Sequence, residues 1–157
     1  MPTLDLSSPA LAIGSAALLG FATGIIPIGA AEAVALAIGL VSPRWLALTM
    51  CLVFTLAHVG AKLPWYWLGS HAERVSGERG AQYLARARRM LEERPRYGGG
   101  LLLISAILSV PPFHLAAIAA GLTRMAFVPF VTACLAGRLL RFGVLVTAPQ
   151  FLRHLFG

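Results

Sequence analysis

Five ionisable side chains stand in stretches of this sequence that are otherwise almost free of charge: Glu32, Lys62, His114, Arg138 and Arg141. Their types suit proton exchange and anion binding. Glu32, the only charged residue between Pro9 and Val41, follows Pro27 by five positions. Ionisable groups inside apolar spans are rare and mark ion or substrate paths, which makes Glu32 the first candidate for proton coupling. Its plainer alternative is a structural carboxylate at a helix start, where the helix dipole favours it. His114, just past Pro111 and Pro112 in an uncharged run, is the second proton-coupling candidate; its alternative is a hydrogen-bonded core histidine. Arg138 and Arg141 are three apart and share a helix face. A guanidinium holds phosphate or carboxylate bidentately, so both arginines are candidates to bind an anionic headgroup; Arg138, deep in its span, could instead pair with Glu32. Lys62, with His58 four residues before it, is the third candidate headgroup ligand. Its plainer reading is a buried stem whose ammonium reaches the membrane interface.

The elements that must position these groups are apolar and broken. A helix starts at Ser7 or Ser8 before Pro9 and runs to about Ile26, where Pro27 and Gly29 interrupt it. The segment from Ala30 to Val41 is only ~18 Å of helix at ~1.5 Å per residue and cannot cross a bilayer alone. Residues 45–69 are long enough to do so. After a polar stretch the pattern returns: YGGG (Tyr97–Gly100), apolar Leu101–Val110, the break at Pro111 and Pro112, short Phe113–Leu122, and a span from about Met125 to Ala148. Laying Gly39-Leu40 on Gly121-Leu122 sets AAEAVALAIGL against PPFHLAAIAAGL and Glu32 opposite His114. This reads as an internal repeat. Broken backbone at membrane depth is tolerated where protein or a hydrated cavity covers it, so each break marks a re-entrant loop.

Composition supports a membrane setting. Hydrophobic residues make up 58% of the 157, charged residues only 12%, and mean hydropathy is +0.79; a water-soluble domain carries roughly a quarter charged residues. An N-terminal signal peptide is disfavoured, because the first residues hold Asp5 and no Lys or Arg. The net charge of +7 is not a nucleic-acid signature. Seven arginines (74, 79, 86, 88, 89, 94 and 96) and four glutamates crowd one polar stretch, Ser70–Arg96. That asymmetry makes 70–96 a cytoplasmic connector between opposed halves. Within it Tyr83, Leu84, Ala87, Met90 and Leu91 form one side of an amphipathic helix. Trp65, Tyr66 and Trp67 read as an interfacial belt, and Arg44 and Arg124 as interfacial anchors. Cys51 and Cys134 have no metal-ligand spacing and read as packing residues. With no catalytic triad, phosphate loop or dinucleotide fingerprint, a non-enzyme without cofactor or metal is expected.

The pattern of Pro27 through Glu32 and Gly39, then Gly60, Tyr66 and Gly69, with VPPFHLAAIAAGLTRMAFVPF (Val110–Phe130) and GRLLRF (Gly137–Phe142), resembles the DedA superfamily, whose members carry the SNARE-associated Golgi, or VTT, domain. The resemblance covers roughly Gly24 to Leu145. It implies two facing re-entrant loops plus spanning helices in the bacterial inner membrane, and movement of lipids such as polyprenyl phosphate, driven by protons. Glu32 matches the family's first-loop acid. SAILSVPPFHL, however, lacks the arginines that flank the second-loop prolines in carrier-lipid members.

The resulting expectation is an all-α membrane protein of one domain with two inverted halves, 9–69 and 97–157. It would act as a transporter or scramblase of an anionic lipid, proton-coupled through Glu32. So few spans enclose a groove poorly, which points to a homodimer. The alternatives are a proton-coupled exporter of small amphiphiles, and a non-transporting scaffold held by a Glu32–Arg138 ion pair.

Overall fold

A computed structural model describes residues 8–26, 30–75, 82, 103, 106–108 and 113–156. Among these residues every element is a helix: α1 (Pro9–Ile25), α2 (Ala30–Val41), α3 (Arg44–Gly60), α4 (Leu63–Val75), α5 (Phe113–Leu122) and α6 (Phe127–Phe156). Proline sets most of the boundaries. Ser8 caps α1 by accepting from the Leu11 N–H, and Pro9 opens its first turn, where a missing N–H costs nothing. Ile26 is extended (φ −81°, ψ 125°) because the ring of Pro27 crowds a helical residue before it. Pro27 and Gly29 themselves, like Pro111 and Pro112, lie outside the described residues, as do residues 83–95 of the expected amphipathic helix. Pro43 stops α2, having no N–H to offer the Gly39 carbonyl, and its own carbonyl accepts from Ala47 to start α3.

One break escapes a reading that runs a single helix through 45–69. Pro64 cannot donate to the Gly60 carbonyl, so the chain turns at Ala61 and Lys62, and Trp65 and Tyr66 both donate to the Lys62 carbonyl to restart α4. Lys62 therefore sits at a discontinuity in the span.

The helices divide into two units, residues 1–61 with 139–157, and residues 62–138. Each draws on both halves of the sequence. In the first, Ala16, Ala31, Ala35, Ile38, Ala47, Met50, Cys51, Phe54, Phe142 and Val146 form one apolar core. Its small residues let backbones touch: Gly20 lies against the Phe54 carbonyl, and Gly39 against that of Val146. In the second unit α4 and α5 approach equally closely, Gly69 against the Ile118 carbonyl and Gly121 against that of Tyr66. Small residues at helix crossings are the usual device where lipid supplies no hydrophobic drive for association.

Two helical runs are long and apolar enough to cross a membrane, Arg44–Ala72 through the turn at Lys62, and Phe127–Leu152. Length alone does not distinguish a span from a soluble core helix. The exposed faces do. Leu48, Leu52 and Leu56 form a stripe on α3 that is about half exposed, Leu140, Val144 and Phe151 another on α6, and Leu18 and Phe21 are exposed on α1. Apolar surface this extensive needs lipid or a partner to cover it.

Candidate functional site

In the first unit Glu32, third residue of α2, meets Arg141 of α6, with Oε1 2.9 Å from Nη2. α2 starts just past the break, so the carboxylate lies in its first turn, at the positive end of the helix dipole. The side chains keep 26% and 23% of their surface, enough for water or a ligand atom to reach them.

In the second unit His114, second residue of α5, meets Lys62, with Nδ1 3.3 Å from Nζ. An ammonium has only donors, so against charged Lys62 the Nδ1 atom accepts and the ring proton sits on Nε2. Lys62 is 2% exposed, which replaces the expectation of an ammonium reaching the interface. Arg138, 4% exposed, belongs to the same unit, and its charge acts on both Lys62 and His114. Burial of two cations in one unit is costly in a low-dielectric interior. Cys134 is fully buried beside them and Cys51 is buried in the first unit's core, consistent with packing roles.

Both arrangements share one plan. A protonatable group in the first turn of a short helix meets a cation borne by a long span from the other half of the chain. The sequence names all five groups; the pairings Glu32–Arg141 and His114–Lys62 are not visible in it.

His58, named above only as a neighbour of Lys62, and Tyr66, read as part of the belt, make polar contacts that the sequence does not foretell. His58 is 3% exposed, with Nδ1 3.3 Å from the Thr23 hydroxyl. That hydroxyl spends its proton on the Leu19 carbonyl at 2.7 Å, so it accepts from His58 and the ring proton is on Nδ1. Tyr66 donates to the Met125 carbonyl at 2.6 Å and stacks on Phe130 at 4.5 Å. Trp65 lies 6.1 Å from the His114 ring, and Trp67 is 66% exposed. The signal for Tyr66 lay in its spacing from Gly69, three residues on, which places both on the α4 face packed against α5.

The model of one family, the VTT domain, matches residues 10–151. The chain belongs to the VTT-domain family. This is the domain of the DedA and SNARE-associated Golgi proteins, a membrane family with transporter-like roles. No curated protein and no solved structure matches the chain. The match spans both short helices and both long runs, so Glu32, Lys62, His114, Arg138 and Arg141 all lie within the VTT domain.

Proposed function

We propose that this VTT-domain protein moves an anionic, phosphate-bearing lipid, polyprenyl phosphate among the candidates, across the bacterial inner membrane under proton control. The observation that carries the reading is the pairing of each protonatable group with a cation, Glu32 with Arg141 and His114 with Lys62. Arg141 can serve a carboxylate or a phosphate, and here it already serves a carboxylate. Protonating Glu32 removes the competing charge and weakens its hold on the guanidinium, which can then bind a headgroup phosphate. Protonating His114 turns Nδ1 into a donor, which breaks its bond to Lys62. Both steps have the same sign: uptake of a proton makes a cation available, and loss of the proton reclaims it. Loading is therefore favoured on the acidic side and release on the alkaline side. Arg138, buried in the same unit as Lys62, adds a second positive group there to hold a headgroup while the tails stay in lipid.

The matched placement of Gly39 and Gly121, and of Glu32 and His114, supports two inverted re-entrant halves around this path. The arginine-rich stretch 70–96 then faces the cytoplasm, and a homodimer completes the enclosure.

The test uses purified protein in liposomes and follows flipping of a fluorescent anionic lipid with and without an imposed pH gradient. Wild-type protein is expected to flip faster under the gradient, and Glu32→Gln to lose that dependence. Full gradient-dependent flipping by Glu32→Gln would sink the mechanism. The ion pair itself also favours a second reading, a non-transporting scaffold. That reading requires no flipping at all, with Glu32→Gln and Arg141→Leu each destabilising the fold and the double variant recovering.

A further inference from the structure

In the first unit, between the start of α3 and the far end of α6, lies a cavity of about 650 Å³, within the range of small-molecule sites, ~300–1,000 Å³. Neither Glu32 nor Arg141 lines it. Its lining combines polar Ser42, Arg44, Thr147 and Gln150 with apolar Val144, Ala148 and Phe151. Arg44 opens one spanning run and Gln150 lies two residues from the end of the other, so by length the cavity sits at the boundary between water and hydrocarbon. Val144 and Phe151 are 58% and 65% exposed, so their side chains are open to lipid tails.

The polar lining is chemically specific. Gln150 donates from Nε2 to the Ser42 carbonyl in a long bond of 3.5 Å, which turns its Oε1 the other way. Its Oε1 is buried and accepts from no described residue, and a buried acceptor of this kind is normally paired. The wall thus offers a guanidinium for an anion, an acceptor for a donor, and an apolar exit.

We propose that this cavity holds the headgroup of a phosphate-bearing phospholipid as a resident ligand. The phosphate bonds to Arg44, a headgroup hydroxyl or ammonium donates to Gln150 Oε1, and the tails leave past Val144 and Phe151. A cationic amphiphile is opposed by Arg44, and a lipid without phosphate leaves the guanidinium unused. The site depends on membrane placement alone and stands whether or not the protein transports.

Native mass spectrometry of the detergent-solubilised full chain tests it, titrating phosphatidylglycerol, phosphatidic acid, and a diacylglycerol with the same tails. One phosphatidylglycerol per chain is expected to bind, with affinity about tenfold or more above that of diacylglycerol. Arg44→Ala and the cavity-filling Thr147→Trp, both at exposed positions, should each lose that advantage. Gln150→Leu should keep phosphate selectivity but lose the preference for phosphatidylglycerol over phosphatidic acid. Diacylglycerol binding as well as phosphatidylglycerol, or unchanged binding in both Arg44→Ala and Thr147→Trp, would overturn the assignment. So would displacement of the lipid by millimolar inorganic phosphate, which would indicate a site for free anions.

Discussion

At the residue scale, the groups with chemical potential are those the sequence isolates, because a charge in an apolar run has no ordinary reason to be there. Backbone conformation was not legible in the same way. Arg124 has φ 51°, and it ends α5 in a Schellman turn, with Met125 N–H donating to the Ala120 carbonyl and Arg124 N–H to that of Gly121. An L-residue in this conformation is strained by roughly 1–2 kcal/mol, from which glycine is exempt. Arg124→Gly should therefore be more stable to heat in detergent than Arg124→Val, by about 1 kcal/mol, a comparison in which both variants lose the arginine side chain. Equal melting temperatures for the two variants would show that the turn carries no strain.

At the element scale, proline and glycine govern where helices stop and how closely they pack. Pro111 and Pro112, outside the described residues, immediately precede the start of α5 in sequence, and Pro27 announces the break between α1 and α2 in plain view. Pro64 does the same inside a span, and it puts Lys62 on a turn. Glycine contacts are harder to anticipate, since a glycine in a helix has no visible partner until two backbones meet. A Cβ added at Gly121 would collide with the Tyr66 carbonyl oxygen, and one at Gly39 with that of Val146. A backbone carbonyl cannot rotate aside as a side chain does. Gly121→Ala and Gly39→Ala should each destabilise by about 1–3 kcal/mol, the usual cost of overpacking, whereas Gly14→Ala, with open space around it, should not. Denaturation of all three in one detergent checks this; equal stability of the three would remove the close crossings from the account.

At the scale of the whole molecule, the exposed leucine stripes are a surface that lipid or a partner must cover, and the two can be told apart. A nitroxide at Leu52→Cys, in a chain whose Cys51 and Cys134 are alanine, is expected to be relaxed more by oxygen than by a water-soluble nickel chelate. The reverse order would put the α3 stripe in water or against a polar partner. The same experiment at Arg44→Cys should shift toward the chelate, as befits the boundary position of that residue.

Sequence alone determined the setting, the class and the cast. Uncharged runs of spanning length dictate a helical membrane protein, since no other backbone arrangement that closes within one segment satisfies its own hydrogen bonds in hydrocarbon. Prolines mark the broken helices, and residue type picks out Glu32, Lys62, His114, Arg138 and Arg141. Only tertiary structure decided who meets whom. Arg141 reaches Glu32 across 109 positions and His114 reaches Lys62 across 52, while Tyr66 and Gln150 bond to turns far away in the chain. Such contacts depend on which helix faces approach one another. Periodicity fixes the faces of a single helix, but in a chain apolar on nearly every side it leaves their partners open.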